Sequence, residues 1–269
     1  VIHAAGIVSI ASKHDEQVYH VNVNGTKNIV SMCKEAKVEK LIYVSSVHAI
    51  EEKPKGEIIR ETKEFSPDKV VGLYAKTKAE ATAHVLQEGE KGDLWVNVVH
   101  PSGILGPYDY GKGNLSALVI DYCSGALTSI VSGGYDFVDV RDVAKGIVAC
   151  LERGKPGECY ILSNQFYTIQ EIIAMLHQIT GRKNIKSILP NWFVKATAPL
   201  AELYYKILNK PPLYTRYSLY TLDANAIFSH EKADRELQYV TRDMKETLYD
   251  MVQWLIQVGQ IKPRNLTKI

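Results

Sequence analysis

The sequence predicts an α/β fold: a doubly wound parallel sheet covered by helices on both faces, followed by a smaller, mostly helical lobe. Three observations carry that expectation. Short runs made almost wholly of apolar residues recur along the chain, VIHAA from Val1, LIYVSS from Leu41, LWVNVVH from Leu94 and CYILS from Cys159, and strands that are apolar on both faces belong to covered parallel sheets. Stretches of helical period separate these runs, the alternation that builds crossover units. After about Phe166 the β-rich runs give way to helical, Tyr-rich sequence.

In order along the chain, Val1 to Ala5 reads as a strand, and the segment from Asp15 to Ala36 carries Val18, Val21, Asn22, Gly25, Ile29 and Met32 at helical spacing. Leu41 to Ser46 is the next strand. A loop rich in Glu, Lys and Pro from Val47 to Val70 leads to a helix over Gly72 to Gln87, then to the strand from Leu94 to His100. HPSGILGPYDYGKG reads as a Gly/Pro-rich loop. A helix starts near Asp142, with Asp142 as its N-cap, and Thr168 caps another after the strand from Cys159 to Ser163. The predicted division is residues 1–165 for the sheet and 166–269 for the second lobe, with the loop over 101–135 contributing to the substrate site.

Composition narrows the partners. The chain has 269 residues, 46% hydrophobic and 23% charged, with 32 Lys plus Arg against 30 Asp plus Glu. A net charge of +2 supplies no field for a polyanion, so nucleic acid is not an expected partner. No apolar run reaches membrane-spanning length, and no leader is visible. Cys33, Cys123, Cys150 and Cys159 form no C-x-x-C pair and no metal-ligand spacing. No metal site is expected, and the cysteines read as reduced core thiols of a cytoplasmic protein.

The chemistry is expected in GLYAKTKAEA. Tyr74 and Lys78 stand four apart on the predicted helix and so share a face. A phenol is a poor acid or base near neutrality, but an adjacent ammonium favours phenolate. Tyr and Lys at this spacing also occur on many helices with no such role. Ser45 and Ser46 end a predicted parallel strand, and ligands of open α/β sheets collect beyond the carboxyl ends of the strands. Ser46 could there hold a substrate oxygen, or be a turn hydroxyl. Asn22 lies on the preceding helix, where its amide could anchor a water reaching Lys78. His48, two residues past Ser46, could face the substrate and add a hydrogen bond, but a loop His there reads first as solvent-facing or structural, and it is left out of the catalytic set.

Six motifs in order carry a family resemblance: HAAG (His3 to Gly6), NVNGT (Asn22 to Thr26), YVSS (Tyr43 to Ser46), YAKTK (Tyr74 to Lys78), HPSGILGP (His100 to Pro107) and FVDVRDVA (Phe137 to Ala144). Over nearly its whole length the chain resembles the extended short-chain dehydrogenase/reductases of the NAD-dependent epimerase/dehydratase superfamily. SHEKADRELQY, from Ser229 to Tyr239, adds a likeness to the dihydroflavonol-reductase-like branch. The resemblance implies a Rossmann-type sheet, here without its first three strands: it places HAAG on the fourth strand, behind roughly sixty residues holding a glycine-rich phosphate turn. No such turn occurs in this sequence. The chain is therefore read as a fragment, with an exposed apolar edge at Val1, poor solubility and weak cofactor binding expected of it.

The resemblance makes Tyr74 the acid/base, Lys78 the cation that lowers its pKa and holds the nicotinamide ribose, Ser46 the substrate-orienting hydroxyl and Asn22 the support of a water chain. It gives Pro101, Ser102 and Ile104 backbone contacts to the nicotinamide carboxamide, and Ala4, Ala5, Gly6 and Val44 the walls of the dinucleotide groove. The implied cofactor is NADP or NAD. The sequence departs from the family at Thr82, where a Glu is usual, and at His100, where many members have Arg. The first reading is an NAD(P)-dependent oxidoreductase interconverting a ketone or aldehyde and an alcohol. Trp192, Phe193, Tyr204, Tyr205, Tyr214 and Tyr217 suggest an apolar or aryl substrate, though residues at such spacing also build cores. A nucleotide-sugar epimerase or dehydratase and a non-catalytic cofactor sensor are the alternatives. A homodimer through the helices near 15–36 and 72–90 is a further implication.

Overall fold

The computed structural model describes residues 1–9, 15–190, 194, 196 and 216–263. In chain order its elements are β1 (Ile2–His3), α1 (Glu16–Tyr19), α2 (Gly25–Glu35), β2 (Lys40–Val44), α3 (Leu73–Glu90), β3 (Trp95–Pro101), β4 (Gly103–Leu105), α4 (Asn114–Ser124), β5 (Ile130–Val131), β6 (Gly134–Asp139), α5 (Val140–Arg153), β7 (Cys159–Leu162), β8 (Gln165–Thr168), α6 (Ile169–Thr180), β9 (Ile188–Leu189), α7 (Arg216–Asp223), α8 (Glu231–Leu237) and α9 (Met244–Gln257).

These elements form two compact units. The first takes Val1–Ser102, Asp142–Asn164 and Ile227–Val240, the second the described parts of Gly103–Arg141, Gln165–Ala226 and Thr241–Ile269. The single boundary expected after residue 165 is thus replaced by interleaved segments. The cause is pairing that no local pattern reveals: β4 and β6 join β8 in one sheet, and residues 227–240 pack with β7.

The first unit is the expected parallel sheet, ordered β1-β2-β3-β7 with every pair parallel. Leu41, Ile42 and Tyr43 of β2 are buried, as are Val96, Val98 and Val99 of β3. Val44 lies opposite Val99, and the ladder runs one residue further, with Ser45 N–H donating to the Val99 carbonyl at 2.8 Å. That register puts Ser45 and Ser46 at the carboxyl end of β2, beside the last residues of β3. β1 forms one edge, with Val1 and Ile2 about half exposed. At the other edge Ile161 N–H donates to Glu61 Oε1 at 3.0 Å, so a side chain caps the β7 ladder. Residues 227–229 add a bridge to Ile59 beside it.

Helix α1 runs through a π-helical turn, His20–Asn24, into α2. Tyr19 and Lys27 both reach Glu80 of α3, and Lys34 pairs with Glu88, so α1 and α2 lie against α3 through a row of polar contacts. Val30, Cys33, Leu41, Tyr43, Ala81, Val85 and Val96 form the core between these helices and the sheet. All four cysteines are buried and unpaired by disulfide.

The second unit contains more strand than its sequence suggests. β6 pairs in parallel with β4 and antiparallel with β8, and β5 pairs with β9. Its core gathers Val119, Phe137, Ile172, Ile173, Leu176, Leu248 and Met251 from β6, α4, α6 and α9. Thr168 caps α6 as expected, its Oγ1 accepting from Glu171 N–H while the Glu171 carboxylate accepts from Thr168 N–H. Asp142 is not a cap: it lies buried in the first turn of α5, and Asp139 Oδ1 accepts from Arg141 N–H at 2.7 Å in its stead. Of the aromatic residues singled out for this lobe, Tyr217 is half-buried on α7, and Trp192, Phe193, Tyr204, Tyr205 and Tyr214 lie outside the described residues. Among the described residues no helix is long and apolar enough to cross a membrane.

The closeness of α3 to the sheet yields a test. A methyl group on Gly89 would collide with the branched Val96 side chain of β3. Gly to Ala gains about 1 kcal/mol in a free helix, whereas overpacking costs about 1–3 kcal/mol. Gly89→Ala is expected to lower the midpoint of thermal or urea unfolding, and Val96→Ala to restore it in the double variant. A midpoint raised by Gly89→Ala alone would show that α3 is free to move off the sheet.

Candidate active site

The site begins at the start of α3. Gly72 precedes the helix with φ of 97°, a left-handed conformation that disfavours any side chain and turns the chain into the helix two residues before Tyr74. Tyr74 is half-buried and Lys78 buried one turn further on. The Lys78 ammonium donates to the Val44 carbonyl at 2.7 Å and to the Tyr43 hydroxyl at 3.2 Å, and it lies 4.7 Å from the centre of the Tyr43 ring. Among the described residues no carboxylate pairs with it. Burial alone brings its pKa from 10.5 down to about 8.

Ser46 meets Tyr74 from the end of β2. Desolvation pushes the Tyr74 phenol up, and its hydrogen bond with the Ser46 hydroxyl pulls it back toward the ionised form. Ser46 also starts the 3-10 turn Val47–Ala49, which puts the His48 ring edge-on against Tyr74, with ring centres 5.9 Å apart. His48 is thus a wall of the site. Burial lowers its pKa to about 4, so it is neutral there.

Asn22 lies near Lys78. Its Oδ1 accepts from Ile7 N–H at 2.8 Å, and its Nδ2 donates to the Ile7 carbonyl at 3.0 Å and to Thr77 Oγ1 at 3.1 Å. The amide therefore fixes the chain after β1. Gly6 passes so close that a Cβ there would meet Asn22 Oδ1 at 3.2 Å and Lys78 Nζ at 3.8 Å. Ala4, Ala5 and Gly6 are exposed, a small-residue surface beside the buried ammonium. Pro101 and Ser102 are buried at the end of β3, where the Ser102 N–H donates to the Leu162 carbonyl at 3.3 Å and so belongs to the sheet. Val44 contributes its carbonyl to Lys78. Ile104 is exposed on β4, in the second unit.

Both departures from the family pattern have local work. Thr82 is buried, donates to the Lys78 carbonyl at 2.7 Å and meets Ser45 Oγ at 2.7 Å. His100 is buried and stacked on Phe65 at 5.2 Å, and its Nδ1–H donates to the Ser46 carbonyl at 3.0 Å. Burial lowers its pKa to about 4. Strand alternation could have revealed Tyr43 and Ser45, which share the face opposite Lys78 and Thr82 on α3. Nothing local marks His100.

A protein-family model matches residues 1–172, that of the 3-beta hydroxysteroid dehydrogenase/isomerase family. A putative dihydroflavonol 4-reductase of Synechocystis sp. is 30% identical over 97% of this chain and 77% of its own length. Sterol demethylase protein B of Methylococcus capsulatus is 27% identical over 96% of this chain and 79% of its own. The crystal structure of gox2253 superposes with a TM-score of 0.82 at 32% identity, over 97% of this chain and 79% of that one. With the Ser46, Tyr74 and Lys78 cluster at the carboxyl end of a parallel sheet, the chain belongs to the 3-beta hydroxysteroid dehydrogenase/isomerase family, within the extended short-chain dehydrogenase/reductases.

Proposed function

We propose that the protein is an NAD(P)-dependent oxidoreductase that interconverts a ketone or aldehyde and an alcohol, with Tyr74 as the acid/base. The observation that carries this reading is a buried ammonium, with no carboxylate partner among the described residues, one turn from a phenol that a serine hydroxyl already contacts. A structural Lys and Tyr on a helix would have no need of that desolvation.

The residues present fit a dinucleotide. Ala4, Ala5 and Gly6 offer an open surface free of bulky side chains, and Lys78 uses two of its three N–H groups internally, leaving one for a ribose hydroxyl. Bound there, the dinucleotide would supply or accept the hydride. Ser46 Oγ donates to the substrate oxygen and orients it. In reduction Tyr74 gives its phenolic proton to that oxygen, and in oxidation it takes the proton back. Lys78 stabilises the phenolate against the desolvation that opposes it. His48 closes one side of the phenol and, being neutral, adds no competing charge. Relatives named for a dihydroflavonol and for a sterol support an apolar or aryl substrate.

The complete gene product is expected to oxidise NADPH or NADH with aryl and alicyclic ketones or aldehydes and to leave nucleotide sugars unconverted. Epimerisation of a UDP- or dTDP-sugar without net cofactor turnover would reverse the reading. Tyr74→Phe removes one hydroxyl, so turnover should fall by about a hundred- to ten-thousand-fold while the unfolding midpoint stays near the parent's. Turnover within about twofold of the parent would remove Tyr74 from the mechanism.

A further inference from the structure

We propose that Tyr43 is the positioning residue of Lys78: its ring face and phenol oxygen fix the ammonium. The inference deepens the oxidoreductase reading and rests on Lys78 as the cation of Tyr74. Tyr43 is fully buried in β2, and its hydroxyl accepts from Lys78 Nζ at 3.2 Å, while its ring centre lies 4.7 Å from the same nitrogen. His3 of β1 lies against the Tyr43 ring with centres 5.5 Å apart, its Nε2 meets Thr26 Oγ1 at 3.0 Å, and Thr26 in turn donates to the Asn22 carbonyl at 2.7 Å.

Lys78 donates one N–H to the Tyr43 hydroxyl. Lys78 donates its second N–H to the Val44 carbonyl. The third is the one left for a ligand hydroxyl, and the Tyr43 contact decides its direction. The other titratable groups near the ammonium are His3 from β1 and His100 from β3, both lowered in pKa by burial first and by Lys78 as a lesser cause. Each is neutral at pH 7, so Tyr43 and the Val44 carbonyl carry the compensation of the charge.

The test reads Lys78 directly. In the complete gene product with ¹³Cε-labelled lysine, the Lys78 resonance is identified by its loss in Lys78→Met and titrated by NMR without cofactor. The parent should titrate near pH 8. Tyr43→Phe, which keeps the ring and removes the acceptor, should lower that value by about one unit, the worth of a hydrogen bond to a charged group. Placing 3-fluorotyrosine at position 43, which keeps ring and hydroxyl and weakens the acceptor, should lower it by less, and it carries the test alone if Tyr43→Phe fails to fold. Values within about 0.2 unit of the parent would overturn the inference, since a merely structural Tyr43 would change the unfolding midpoint and leave the Lys78 titration in place. Because no turnover is needed, a shift in Lys78 with no reductase activity would sink the functional reading alone, and activity with no shift would sink the positioning role alone.

Discussion

The buried charge of Lys78 is the constraint around which the first unit is arranged. Bringing an ammonium from pKa 10.5 to about 8 by desolvation corresponds to about 3 kcal/mol against the charged form. The folded pKa is depressed and the group is a base, so the unfolded chain binds the extra proton. The penalty is complete below about pH 8 and is relieved as pH rises toward 10.5. A fold optimised for stability alone would place an apolar residue here. What holds the charge is the Val44 carbonyl, the Tyr43 hydroxyl and the Tyr43 ring, all neutral, so the ammonium stays uncompensated by any carboxylate among the described residues.

The same economy of charge fixes the backbone around it. The carbonyls of the three candidate catalytic residues each accept from a side chain that carries no net charge: Ser46 from His100 at 3.0 Å, Tyr74 from Thr77 at 2.8 Å and Lys78 from Thr82 at 2.7 Å. Each donor comes from the sheet or the helix that packs there, so the positions of strand end and helix start are set by short hydrogen bonds as well as by apolar contact. A Glu at position 82 would add a negative charge beside the ammonium. The Thr in its place keeps the pin and omits the charge.

What the sequence made legible was whatever depends on local period and spacing. The four apolar strands, the shared face of Tyr74 and Lys78, Ser46 at a strand end and the Thr168 cap all depend on residues close together in the chain. The short strands β4 and β8 escaped because three or four residues carry no measurable alternation, and β6 because it opens on a glycine. Asp139 and Asp142 both precede apolar helical sequence, and only the backbone direction at Val140 decides which of them caps. The amide of Asn22 was placed near Lys78 correctly by motif, but its hydrogen bonds to Ile7 depend on where the chain goes after β1, which no spacing records.

The π-helical turn His20–Asn24 ties these parts together. In such a turn the Gly25 N–H bonds back to the His20 carbonyl, five residues away, and the extra residue rotates α2 about its axis relative to α1. Two side chains four apart thereby act in different directions. Asn22 reaches out to the Ile7 backbone and holds Gly6 against the ammonium, while Thr26 reaches in to His3. The Thr26 hydroxyl donates to the Asn22 carbonyl at 2.7 Å, the same back-bond that Thr82 makes to the Lys78 carbonyl on α3. The turn therefore braces both β1 and the segment after it, the two stretches that pass beside the buried ammonium.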